Sequence, residues 1–223
     1  MKTNTLILSI LTIVFVGCGP QNKRSADNSV ETIHTGKNNF DTDPIVSVDT
    51  LDDPSKINRF DQTGLIKNKS LEQYLADDKI PHRFKELVKT DGKLLTDNFE
   101  ALNDSLFSRD SERHPFYFWL FTQTIGISDG AATEPMGIAA KNYVDRKTEK
   151  FLSYFVGDNS LTSSDFDNWV ILIAGEIAIS AENGERQEID NLLKTLRRNC
   201  TYCPQNYIEL IDRFELEIIK YSP

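Results

Sequence analysis

The sequence is short of the side chains that most metal and nucleophile chemistry needs. Its 223 residues include three cysteines and three histidines. Structural zinc takes four ligands, commonly two cysteine pairs, and the single C-x-x-C, Cys200-Thr201-Tyr202-Cys203, supplies one pair. The histidines are His34, His82 and His114, and no Ser-His-Asp arrangement is legible among them. There is no P-loop and no G-x-G-x-x-G, so no nucleotide cofactor, and no other cofactor, is expected. Positive charge is also scarce: 25 Lys and Arg stand against 34 Asp and Glu, a net charge of −9. A phosphate-backbone binder needs a basic face, so no nucleic-acid partner is expected. Long apolar runs are absent too. Leu6 to Val16 is an unbroken low-polarity stretch of 11 residues, well under the ~20 that a membrane-spanning helix requires. What is present is an ordinary globular mix, 39% apolar and 26% charged, with 13 Phe and 7 Tyr. It suffices for one sizeable core and excludes collagen-like, wholly disordered and polytopic membrane classes.

The N-terminus carries the most specific signal. Lys2 gives a minimal positive region, and Leu6 to Val16 has the length of a signal-peptide apolar segment. Phe15-Val16-Gly17-Cys18 follows directly. This resembles the lipobox of bacterial lipoproteins: a bulky apolar residue, two small ones, then cysteine. Phe15 stands where Leu is commoner. The resemblance covers residues 1–18. It implies cleavage after residue 17 and acylation of Cys18, with the bilayer as partner through the acyl chains. Each buried CH₂ contributes about 0.8 kcal/mol, so two or three chains hold where one would not. It also implies a place in the cell envelope. Gly19, where Asp resembles an inner-membrane retention signal, tilts the expectation towards the outer membrane of a Gram-negative cell.

Residues 18–65 are poor in large apolar side chains and rich in Asn, Asp, Ser, Thr and Lys, a composition that buries too little surface to offset ordering entropy. A flexible tether is expected there, with a reach of roughly 35–40 Å. Residues 66–223 are expected to form one all-α domain, a bundle of seven to nine helices, because the apolar pattern turns to helical period from about Ser70. Ser70 with Gln73 makes a capping box, and Pro81 and Pro115 open helices. Leu95, Phe99, Leu102 and Leu106 fall on one stripe. Phe116 to Phe121 (FYFWLF) is apolar all round and should be central. Ser128-Asp129-Gly130 is expected to end that helix and Thr133-Glu134-Pro135 to open the next. Ser163 or Ser164 is expected to cap FDNWVILIAGEIAIS. Two amphipathic stripes, Ile189 to Leu196 and Tyr207 to Ile218, close the chain.

Several residues carry candidate chemistry. Cys200 and Cys203 are expected to form a disulfide in an oxidising compartment, closing four residues and contributing about 2 kcal/mol. A redox role gains from nearby Arg197 and Arg198 but lacks the βαβ setting of thioredoxin-like sites. Glu176, inside WVILIAGEIAIS, is expected to be partly buried, the setting in which a carboxyl group serves as a general acid. Glu134 or Asp129 is the candidate second carboxylate; a pair about 5–9 Å apart would suit glycoside hydrolysis. The competing expectation is a structural Glu176 that pairs with an arginine or reaches the surface along one edge. His82 and Glu86 share a helix face, too few ligands for a metal. His114 is expected to pack or cap, and the aromatic run to be core rather than a ligand groove.

No motif fixes an activity. The leading expectation is an acidic, lipid-anchored helical module that binds another envelope protein. Residues 158–223 hold twelve acids and six bases, a docking face for a basic partner. A toxin-neutralising immunity protein is one version, by analogy of charge and location. The alternatives are an envelope hydrolase acting on cell-wall glycan through Glu176 and Glu134, and an assembly subunit without its own ligand.

Overall fold

A computed structural model of the chain describes Phe60 and residues 64–157, 160–182 and 184–221. The signal over 1–17, Cys18 and all of the tether over 18–65 except Phe60, Gly64 and Leu65 lie outside the described residues. A two-residue hairpin, β1 (Leu65–Ile66) and β2 (Lys69–Ser70), pairs antiparallel with Ile66 opposite Lys69. Helices follow: α1 (Leu71–Ala76), α2 (His82–Lys89), α3 (Phe99–Ser105), α4 (His114–Ile125), α5 (Gly130–Arg146), α6 (Thr148–Leu152), α7 (Ser163–Ser180), α8 (Glu185–Asn199) and α9 (Gln205–Lys220). The domain is all-α, with nine helices among the described residues. None of these is long and apolar enough to cross a membrane.

The centre is built from α4 and α7. Every residue of FYFWLF is buried, as its lack of a polar face requires. The Phe118 ring stacks on Trp169 at 5.0 Å and on Tyr154 at 4.0 Å. The Trp169 indole N–H donates to the Thr122 hydroxyl (2.9 Å), which donates to the Phe118 carbonyl (2.8 Å). One buried polar handle is thereby satisfied inside an aromatic core. The core also takes in Phe60, whose ring meets Trp119 edge-on at 6.1 Å, and Ile66 of β1.

Local signals set most boundaries. Ser70 Oγ accepts from the Gln73 N–H while the Gln73 side chain accepts from the Ser70 N–H, the capping box the sequence implies. The cap of α7 is Thr162, ahead of both expected caps, Ser163 and Ser164. Asp165 accepts from the Thr162 backbone N–H (2.7 Å) and its hydroxyl (2.8 Å), completing a box that a Ser163 cap would lack. Helix α5 begins at Gly130 rather than near Thr133. Ser128-Asp129-Gly130 does not merely end α4: Asp129 caps α5 by accepting from the Ala132 N–H at 3.3 Å. Pro135 therefore lies inside α5 and removes the bond to the Ala131 carbonyl, on an exposed residue that water can satisfy. Leu95, Leu102 and Leu106 of the stripe are buried and Phe99 is half-buried, but only Phe99–Ser105 is helical. Asp91 and Gly92, both at positive φ (50° and 78°), break the chain beforehand.

Candidate functional site

Helix α7 is covered by α4, α5, α8 and α9, yet one strip of it stays open. A groove of about 360 Å³ lies along that strip. Ile125 and Gly126 at the end of α4 form one end, and Ser128, Thr133 and Glu134 of the α4–α5 turn and α5 form a wall. The floor is Asn168, Ile171, Leu172, Gly175, Glu176 and Ile179 of α7. Ile171 and Ile179 are exposed, Ile179 at 69%. A side chain at Gly175 would meet no atom within 4 Å, so that position opens onto free space.

Glu176 stands at the edge of this strip and is only 7% exposed. Its Oε2 is buried without a hydrogen-bond partner. Gly137 of α5 is what lets the helices close over it, since a Cβ there would sit 2.9 Å from the Glu176 Cβ. The arginine partner expected for a structural Glu176 is absent: no ion pair among the described residues includes Glu176 or Glu134. The structure thus brings Glu176 and Glu134 to one groove. Asp129 is not among its walls and is occupied as the α5 cap. Sequence reasoning misses Ile171, Gly175 and Ile179. Their i, i+4, i+8 spacing is the signal that marks one continuous stripe.

The other candidates lie elsewhere. Cys200 and Cys203 are joined by a disulfide across the α8–α9 turn, with Cα atoms 4.9 Å apart and Tyr202 fully displayed at its tip. His82 Nε2 lies 3.5 Å from Glu86 Oε1, and Glu86 also holds Lys89 at 2.9 Å. Among the described residues no cluster of three or more His, Cys, Asp or Glu could hold a metal ion.

His114 is 1% exposed at the first turn of α4. Its Nε2 lies 2.8 Å from the Leu106 carbonyl and its Nδ1 lies 2.7 Å from the Tyr154 hydroxyl. A carbonyl only accepts, so Nε2 carries the proton and donates to Leu106, while Nδ1 accepts from Tyr154. The neutral ring is fully satisfied. Burial, with Lys150 and Lys147 adding smaller repulsions, pushes its pKa down to about 4. Burial likewise pushes the Tyr143 and Tyr154 phenols up, keeping their protons in place.

No protein-family model matches the chain, and neither a curated protein nor a solved structure matches it.

Proposed function

We propose that the chain is a binding module of the bacterial cell envelope, held to the bilayer through acylated Cys18, whose α4–α5–α7 groove takes an apolar segment bearing a cationic group. The observation that carries this reading is the buried, unpartnered Glu176 Oε2 in a mainly aliphatic groove. An unmet buried acceptor costs about 1–3 kcal/mol, and a cationic donor from a partner removes that cost. Glu134, exposed and unpaired on the same groove, adds attraction of the same sign. The groove is favoured over the acidic face of residues 158–223 because much of that face is already spent. Asp212 and Glu215 hold Arg197, Asp167 holds Arg213, Glu217 holds Lys220 and Asp190 holds Arg186.

Decylammonium is a suitable probe, titrated beside decanol. The ammonium should bind at least ten-fold tighter, Glu176→Gln should erase that difference, and Gly175→Leu should block both by filling the groove. Equal affinity of the two probes would refute the role of charge, and no binding of either would refute the groove.

The convergence of Glu176 and Glu134 also suits the hydrolase reading. The floor argues against it, since Ile171, Leu172 and Ile179 offer sugar hydroxyls nothing, and the Ser128 and Thr133 hydroxyls of the wall already donate to the Ile125 and Asp129 carbonyls. Release of reducing ends from peptidoglycan by the protein, abolished in Glu176→Gln, would reverse this preference.

A further inference from the structure

A second cavity, of about 510 Å³, lies on different residues from the groove. It forms where the α3–α4 loop, the start of α4, the end of α5 and α6 meet. Four cationic side chains line it: Arg109 from the loop, Arg146 and Lys147 from the α5–α6 junction, and Lys150 from α6. His114 and Tyr143 form its inner wall, and no carboxylate lines it. Arg146, Lys147 and Lys150 also border a neighbouring cavity, where Arg198 joins them and Asp145 and Glu149 supply the acids; of these two cavities Arg109 lines only the one of about 510 Å³.

What sets the place apart is the convergence of four cations in a chain that carries more acids than bases. Arg109, Arg146, Lys147 and Lys150 make no ion pair among the described residues. Lys150 is half-buried as well, and burial together with Lys147 pushes its pKa down. Like charges held together at a concave surface repel one another, and a bound anion relieves the repulsion. Two guanidinium groups among the four suit the tetrahedral, multiply charged oxygens of a phosphoryl group.

We propose that this cavity is a binding site for a phosphoryl-bearing anion, held by Arg109, Arg146, Lys147 and Lys150. The phosphoryl group comes either from a soluble phosphate ester or from a phospholipid headgroup, and one experiment separates the two. Inorganic pyrophosphate is titrated into the full chain at constant ionic strength, with sodium chloride as the blank. It should raise the melting temperature where chloride does not. Arg146→Gln with Lys147→Gln should weaken binding at least ten-fold, while Lys93→Gln with Lys194→Gln, an equal charge loss at exposed sites off the cavity, should leave it unchanged. Displacement of labelled pyrophosphate by phosphatidic acid vesicles, but not by phosphatidylcholine vesicles, assigns the site to a lipid headgroup. Pyrophosphate binding that both vesicles leave undisturbed assigns it to a soluble ester. No binding beyond the chloride blank, or equal loss in the two double variants, overturns the proposal.

Discussion

Helices α4 and α7 are the two most apolar stretches of the domain, and the structure treats them differently. From His114 to Thr124 only the ring of Pro115 escapes full burial in α4, which packs against β1, α3 and α7. Helix α7 buries Phe166, Trp169, Val170, Leu172, Ile173 and Ile177 on its inner faces but leaves Ile171, Gly175 and Ile179 uncovered. The difference lies in two glycines. Gly137 draws α5 tight against one side of Glu176, and Gly175 leaves a gap on the other. Hydrophobicity alone therefore says that a helix belongs in the core. The placement of the residues without side chains says whether it also carries a surface for something else.

The comparison can be broken most forcefully at its centre. Phe118→Ala should cost about 3–5 kcal/mol in chemical denaturation, because Phe118 joins α4 to Trp169 and Tyr154. A cost under about 1 kcal/mol would mean that the stack does not hold the two helices together. The next effect belongs to pH. The His114 pKa is about 4 in the fold and about 6.5 unfolded. Below pH 6.5 the unfolded chain takes up a proton that the fold refuses. Stability is thus complete above about pH 7 and falls by about 3 kcal/mol as pH drops towards 4. His114→Gln should flatten that fall; parallel curves for the two proteins would contradict the assignment. Gly137→Ala comes third, at about 1–2 kcal/mol lost despite alanine's better helix propensity, since its methyl group strikes the Glu176 Cβ. Smallest of all, Ile179→Ser should change stability by less than about 0.5 kcal/mol, while weakening decylammonium binding several-fold. A large loss of stability there would show Ile179 to be structural and the groove to be closed in solution.

How far the sequence foretells this depends on the range of each signal. The Ser70–Gln73 capping box is legible because both partners lie within one turn, and the α8 and α9 stripes because helical period repeats over four turns. Asp129 is misread for the opposite reason. Asp-Gly is a turn signal whether it closes one helix or caps the next, and only the packing of α5 decides. The Glu176–Glu134 pairing can be suspected from the residue types, but 42 positions separate the two in the chain and no local pattern joins them. The cation-lined cavity leaves no mark in the sequence. Arg109 and the Arg146–Lys150 group come from separate elements, and the excess of acids over the whole chain masks a local charge of the other sign.

The bond from Trp169 to Thr122 spans 47 residues of chain, and this bears on how the molecule comes into being. During synthesis α4 emerges long before the helix that covers it. Until α7 follows, FYFWLF has no native partner for much of its surface, and loop closure over that span must precede any reward. The nascent chain thus passes through an interval in which its most adhesive segment is complete and unsheltered. Folding yield should therefore be limited by capture of that segment, through self-association or by a chaperone. Changes that delay α7, such as a slowly decoded stretch between residues 126 and 162, should lower the yield without altering the stability of the finished protein.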